Sequence, residues 1–169
     1  MAELLPQDRL QPALLDRLRD DAPSQRVEAR EHGVLSRAQL REAVLRDLSW
    51  LLNAVRPPAR DGLADWPEVD QSVLNYGMPC FSGETASSLD ITDLERAIRD
   101  ALARFEPRII PGTLEVSTEQ QENILDLHNV IGVRIAAQIW AQPMPLELLL
   151  RTELDLESGQ VRVRDLSSY

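Results

Sequence analysis

The spacing of apolar residues changes at Pro107, and this change limits the fold more than any other feature of the 169-residue chain. Before that point, apolar residues recur every three or four positions over 40–55 and 94–105, which predicts two amphipathic helices. After it, they alternate with charged residues over 131–139 and 146–156, which predicts antiparallel strands with one wet face. The order of these segments predicts an α+β fold, with N-terminal helices packed against a C-terminal, mostly antiparallel sheet.

Both predicted helices carry start and stop signals. Ser36 with Gln39 has the pattern of a capping box for the first helix, and Thr92 with Glu95 has the same pattern for the second. Prolines follow the last apolar position of each helix, where the residue before a proline avoids the α region.

The chain is predicted to divide into a short extension and one domain. Residues 1–33 are polar and weakly patterned apart from a short helix expected over 12–20, so this extension is predicted to be partly flexible. Residues 34–169 have the length and pattern of a single α+β domain.

A long connection separates the two predicted helices. Residues 57–89 are rich in Pro, Gly, Ser and Asp, and irregular connections of this length inside a compact domain are more often functional than not. Trp66, Tyr76 and Phe81 are its possible anchors, which either pack onto the core or meet a partner.

Composition excludes several functions. All eighteen basic residues are arginine, which removes every mechanism that needs a lysine amine. A net charge of −10 argues against nucleic-acid binding. Cys80 is the single cysteine, which excludes an internal disulfide. No histidine is positioned to activate it as a nucleophile. No apolar run approaches the roughly 18 residues of a membrane helix, and the first residues lack a signal-peptide pattern. The expected location is therefore the cytoplasm.

Candidate catalytic and metal-binding residues are weak. Asp65, Glu68 and Asp70 form the best local carboxylate cluster, but a chain with 28 acids always brings some acids together, so solvated loop acids are favoured. His32 and His128 each lack a second ligand at metal-binding spacing. No catalytic residue, metal site or cofactor is predicted.

Glu106-Pro107-Arg108 stands out because Glu106 falls at the carbonyl end of a predicted helix, where negative charge is disfavoured. The proline fixes the backbone between the two charges, and Arg108 offers a planar fork of donors. Two interpretations stay open from the residues. The pair either makes an internal contact with a neighbouring helix or strand, which is favoured, or faces outward and docks a partner.

Four stretches resemble a known family when they are taken together. PALLDRLRDD (12–21), VLRDLSWLLNAVRP (44–57), SVLNYGMPCFSG (72–83) and RFEPRII (104–110) are similar, in this order, to TssE, the baseplate wedge subunit of bacterial type VI secretion systems. That family is in turn similar to the small wedge protein of contractile-tail phage baseplates, once labelled lysozyme-like. The chain departs from the family's usual residues around the Tyr-Gly-Pro loop at Met78, Cys80 and Phe81.

The resemblance implies a structural part that is not an enzyme. It implies that Glu106, Pro107 and Arg108 bind a helical bundle formed by the wedge subunits TssF and TssG. It also implies that the C-terminal strands engage sheath subunits by strand addition, with Val161, Arg162 and Val163 as the expected edge strand. Other baseplate proteins are further candidate partners, and neither nucleic acid nor membrane insertion is expected. The assembled subunit is expected at the cytoplasmic side of the inner membrane.

Two alternatives remain beside this interpretation. The first is a lysozyme-like enzyme that cleaves peptidoglycan with Glu106 or Glu68, although a cytoplasmic protein does not meet the cell wall. The second is an adaptor of similar fold that binds another protein.

Overall fold

A computed structural model describes residues 12–18, 24, 35–57, 66–83, 89–119, 129–141 and 143–166. Its helices are α1 (Leu14–Arg17), α2 (Arg37–Asn53), α3 (Pro67–Asp70) and α4 (Ile91–Phe105), with a 3₁₀ turn at Val73–Asn75. Its strands are β1 (Glu115–Glu119), β2 (Val130–Ile139), β3 (Leu146–Asp155) and β4 (Val161–Asp165). The four strands form one antiparallel sheet in the order β1-β2-β3-β4, so the predicted α+β fold is confirmed.

The two long helices pack on one face of this sheet. Helix α2 lies against β4, α4 lies against β1, and the two helices contact each other. The shared core is aliphatic, and each fully buried Leu, Ile or Val stabilises the fold by about 1.5–3 kcal/mol relative to an exposed side chain. The completely buried members include Val44, Leu48, Leu94, Leu102, Val133, Ile135, Ile139, Leu148 and Leu150.

One predicted helix cap is confirmed and the other is wrong. The Ser36 hydroxyl accepts from the Gln39 amide at 3.2 Å, and the Gln39 side chain accepts from the Ser36 amide at 2.9 Å. Helix α4 begins earlier than Thr92, because the carboxylate of Asp90 accepts from the amides of Thr92 and Asp93. The Glu95 side chain is thereby available to the sheet, where it accepts from Thr118.

Helix α1 covers Leu14–Arg17 and is shorter than the predicted 12–20. Most of the predicted extension over 1–33 lies outside the described residues, so its flexibility and the domain boundary at 34 stay predictions. Within the described ranges, no helix is long and apolar enough to cross a membrane.

The connection between α2 and α4 is tied to the end of α2. The Met78 amide donates to the Ala54 carbonyl at 2.7 Å, and the Arg56 amide donates to the Met78 carbonyl at 2.8 Å. Gly77 makes this approach possible, because its φ is +113° and a Cβ there would lie 2.3 Å from the Ala54 oxygen.

Candidate functional site

The turn that follows α4 positions the Glu-Pro-Arg sequence. Glu106 is the last residue to donate a helical hydrogen bond, from its amide to the Leu102 carbonyl at 3.0 Å. Its φ of −114° and ψ of 84° lie outside the α region, which a following proline disfavours. The chain then turns back, and the Ile109 amide donates to the Glu106 carbonyl at 3.2 Å.

The Glu106 side chain is buried, with 3% of its surface exposed. Arg108 binds its carboxylate as a fork, with Nε at 2.6 Å from Oε1 and Nη2 at 2.5 Å from Oε2, while the Arg108 amide also donates to Oε1. A buried carboxylate needs partners of this kind. The expectation that both charges face outward is therefore wrong for Glu106, and the internal contact is present.

Arg108 also reaches helix α2, where its Nη2 donates to Asp47 at 2.7 Å. Asp47 accepts from Arg46 Nη2 at 2.7 Å, and Arg46 forms a second fork with the carboxylate of Asp16 on α1. Acids and arginines therefore alternate along one chain of contacts, the ion network Asp16–Arg46–Asp47–Arg108–Glu106. It joins α1, α2 and the turn after α4.

The ion network shifts four pKa values, and the hydrogen bonds to Asp16 and Asp47 raise that of Arg46. The hydrogen bond from Arg46 holds the pKa of Asp16 below its ordinary value. Burial lowers the pKa of Arg108, but the hydrogen bonds and charges of Glu106 and Asp47 raise it by more, so the net shift is upward. Burial first, and then the charges of Asp47 and Glu106, raise the pKa of Tyr76. These shifts favour the charged forms of Asp16, Arg46 and Arg108.

Part of the turn remains at the surface. Pro107 is exposed, and the Arg108 side chain retains 23% of its exposure. Arg108 donates through Nε and Nη2, and its Nη1 has no hydrogen-bond partner among the residues that the structure describes. The turn thus offers unused guanidinium donors in a fixed orientation beside an exposed proline.

Apolar side chains are exposed close to the network. The Arg46 guanidinium lies 5.0 Å from the centre of the Trp50 ring, and half of Trp50 is exposed. Leu14 and Leu15 on α1, and Leu18 directly after it, are also largely exposed. Exposed apolar groups beside fixed charges are typical of surfaces that bind other proteins.

The three possible loop anchors behave differently. Tyr76 packs edge to face on Phe105, with the ring centres 5.2 Å apart, and Phe81 is half-buried against the core. Trp66 is 66% exposed and precedes two further exposed apolar residues, Val73 and Leu74. Tyr76 and Phe81 therefore serve the fold, whereas Trp66 remains available at the surface.

Strand β4 presents one edge of the sheet to its surroundings. The Asp155 amide donates to the Gln160 carbonyl, and the Leu166 amide donates to the Leu149 carbonyl. In this register, the backbone amide and carbonyl groups of the even-numbered β4 residues point towards β3. Val161 and Val163 therefore direct their amide and carbonyl groups outward. Val161, Arg162 and Val163 lie on this edge strand, and their contact with a sheath subunit stays a prediction.

The opposite edge, β1, is covered by helix α4. Glu95 Oε1 accepts from the Thr118 amide at 2.7 Å and from its hydroxyl at 3.0 Å. Arg99 Nη2 donates to the Val116 carbonyl at 3.4 Å. Side chains of α4 thus occupy backbone groups that a new strand would need at this edge.

The residues that sequence reasoning weighed for other chemistry do not assemble into a site. Glu68 is exposed, Asp70 is bonded to Asn75 and Arg104, and Cys80 is exposed. Asp65, His32 and His128 lie outside the described residues. Within the described ranges, no three His, Cys, Asp or Glu side chains are placed to hold a metal ion. The Glu106 carboxylate is bound by Arg108, and this arrangement does not place it as an acid for glycoside cleavage.

Sequence reasoning missed Arg46 and Asp47 of the ion network, and Asn53, whose side-chain amide hydrogen-bonds the Val161 backbone on β4. Arg46 and Asp47 lie outside the apolar stripe of α2, so the sequence pattern does not distinguish them from ordinary solvated residues. The stretch VLRDLSWLLNAVRP contains all three, so its resemblance to the family was the available signal.

The fold is thus an α+β domain with an ion-paired turn after α4 and one open sheet edge at β4. The chain belongs to the family of baseplate wedge protein gp25, whose model matches residues 38–144, more than half of its length. Searches with the same chain match no curated protein and no solved structure. The match includes α2, the connection, α4, the Glu-Pro-Arg turn and β2, and the protein therefore has a structural role in a baseplate.

Proposed function

We propose that this chain is the TssE-type wedge subunit of a bacterial type VI secretion baseplate. In this role it joins the wedge subunits TssF and TssG and couples the baseplate to the contractile sheath, at the cytoplasmic side of the inner membrane. Membership of the baseplate wedge family supports the structural part of the proposal. The four stretches that resemble TssE support the particular system.

The wedge contact is assigned to Pro107 and the outer side of Arg108. The observation that carries it is the unused Nη1 of Arg108, held beside an exposed proline by Glu106 and Asp47. A guanidinium fixed in this way loses little side-chain freedom when it binds a carbonyl or carboxylate. Glu106 acts from inside the protein, where it orients Arg108 without meeting the partner.

Co-purification with TssF and TssG tests the wedge contact. Arg108→Lys keeps a positive charge beside Glu106 but removes the planar fork, so capture of the two wedge subunits should fall at least about tenfold. Arg104→Lys makes the same change on the exposed side of α4 and serves as the matched control. If Arg108→Lys, Pro107→Ala and the unchanged protein capture the wedge subunits equally, this turn does not make the wedge contact.

The sheath contact is assigned to β4, because α4 already occupies the β1 edge. The outward amide and carbonyl of Val163 have no partner in the part of the chain that the structure describes. An extended segment of a sheath subunit would add to the sheet here through backbone hydrogen bonds.

A proline substitution tests the sheath contact. Val163→Pro leaves the ladder to β3 intact, because the amide that is lost faces away from β3. Val163→Ala removes most of the side chain but keeps the amide, and is the matched control. Sheath subunits co-expressed with the protein should be captured by Val163→Ala and lost with Val163→Pro, and retention by both variants would exclude strand addition at this edge.

A further inference from the structure

The outer face of the sheet carries a row of arginines that ends at the open edge. In the register of the sheet, Arg134 of β2 lies opposite Arg151 of β3, and Arg151 lies opposite Arg164 of β4. Like charges directly opposite each other on neighbouring strands are unfavourable. Acidic side chains next to the row would relieve this repulsion, and a chain with a net charge of −10 has many acids.

The acids of this face leave an excess of arginine at the β4 edge, where Arg162 and Arg164 are both exposed. Arg151 pairs with Glu119 at 3.1 Å, and Arg164 pairs with Glu153 at 3.3 Å. Arg134 has no ion-pair partner among the described residues. On β4, Arg162 lies opposite Glu153 in the register, so the carboxylate that pairs with Arg164 stands next to a second arginine at the edge of the sheet.

Asn53 determines where pairing at this edge can begin. Its Nδ2 donates to the Val161 carbonyl at 2.8 Å, and its Oδ1 accepts from the Val161 amide at 2.9 Å. The side-chain amide thus makes the same two bonds that a residue of a neighbouring strand would make. The first outward position of β4 is occupied, and the next one is Val163, whose amide and carbonyl have no partner among the described residues.

From these contacts we infer the chemistry of the strand that β4 accepts: it pairs at Val163, places an acidic side chain beside Arg164 on the outer face, and places an apolar side chain beside Val163. Residues opposite each other in adjacent strands lie on the same face of the sheet. The partner residue beside Arg164 therefore stands at the end of the arginine row, where an acidic side chain is favoured. Val163 packs against the core, and its new neighbour extends that apolar face. The inference rests on the proposed strand addition at β4 and specifies the partner sequence.

Labelled peptides test this chemistry by fluorescence anisotropy. The probes are three peptides that alternate valine with glutamate, glutamine or lysine. The glutamate peptide should bind about twofold to fivefold more tightly than the lysine peptide, since cross-strand charge pairs contribute in this range. Arg164→Glu should reverse this preference, so that the lysine peptide binds more tightly than the glutamate peptide.

Arg96→Glu is the matched control, because Arg96 and Arg164 have equally exposed side chains, at 61%, and each pairs with one acid of this chain. The control should leave the preference unchanged. Equal binding of the three peptides, no binding of any of them, or an equal effect of both arginine variants overturns the inference. The loss of sheath capture in Val163→Pro is measured in parallel. If the peptide test fails but Val163→Pro still loses sheath capture, strand addition stands and only its acidic preference is wrong. If Val163→Pro retains sheath capture, the proposed sheath contact is wrong as well.

Discussion

Arg108 and Asp47 are 61 positions apart in the sequence, and their side chains meet at 2.7 Å across the space between the turn after α4 and the middle of α2. This contact gives the Glu-Pro-Arg turn its fixed orientation, because Arg108 is held by Asp47 on one helix and by Glu106 at the end of the other. The surface of the turn is therefore a product of the fold, and changes in the ion network affect stability and binding together.

Arg108→Ala should lower the free energy of unfolding by about 2–4 kcal/mol. It leaves the buried carboxylate of Glu106 unpaired, and breaking a buried ion pair from one side is costly. Arg104→Ala, whose ion pair with Asp70 is much more exposed, should cost less than about 1 kcal/mol. Urea denaturation followed by circular dichroism measures both values. The double variant Glu106→Gln/Arg108→Ala should regain part of the loss, and a cost for Arg108→Ala no larger than for Arg104→Ala would contradict this account.

The Asp16–Arg46 pair should make the attachment of α1 depend on pH. The folded-state pKa of Asp16 is lowered from its ordinary value of 3.8. Its stabilising contribution is therefore complete above that value and is lost as the pH falls through the folded pKa. Unfolding of the unchanged protein and of Asp16→Asn, compared in urea between pH 3 and 7, should differ by at most about 1 kcal/mol near neutrality. The difference should shrink below pH 4. A difference that is constant across this range would show that the carboxylate charge of Asp16 does not stabilise the fold.

The sheet and the two long helices could be predicted because their apolar residues repeat over many positions. In β3, the alternation from Leu146 to Leu154 assigns each residue to a face, and the observed burial follows it. The short helices at Pro67–Asp70 and Val73–Asn75 span too few residues to show a period. The start of α4 was misplaced because Asp90 and Thr92 are both good capping residues, and sequence alone did not separate them.

The candidate site was predictable only in part, because its contacts are distant in the sequence. Glu106-Pro107-Arg108 could be found from a charge in an unfavourable position at a helix end. The burial of Glu106 depends on packing that no local pattern reports. The Asn53–Val161 contact spans 108 positions and involves backbone groups, so no pairing of charges or apolar residues in the sequence indicates it.

Gly77→Ala should destabilise the protein by at least about 2 kcal/mol, because it combines an unfavourable φ with a collision against the Ala54 carbonyl. Gly83→Ala is the control, since Gly83 also has a positive φ but nothing within 4 Å of a Cβ. It should show the backbone cost alone, about 1–3 kcal/mol. Thermal unfolding of both variants measures the difference, and equal midpoints would mean that the tie between this loop and α2 does not constrain Gly77.

Asn53→Ala should open the first outward position of β4 without breaking the ladder to β3. The loss of two hydrogen bonds from Asn53 to Val161 should cost about 1–2 kcal/mol at an exposed site. Amide hydrogen exchange followed by NMR separates the positions. In the unchanged protein, the Val161 amide should be protected and the Val163 amide should exchange quickly, with Arg162 and Arg164 protected by β3. The substitution should speed exchange at Val161 alone. Protection of the Val163 amide in the unchanged protein would show that this edge is already occupied, and the proposed sheath contact would lose its physical basis.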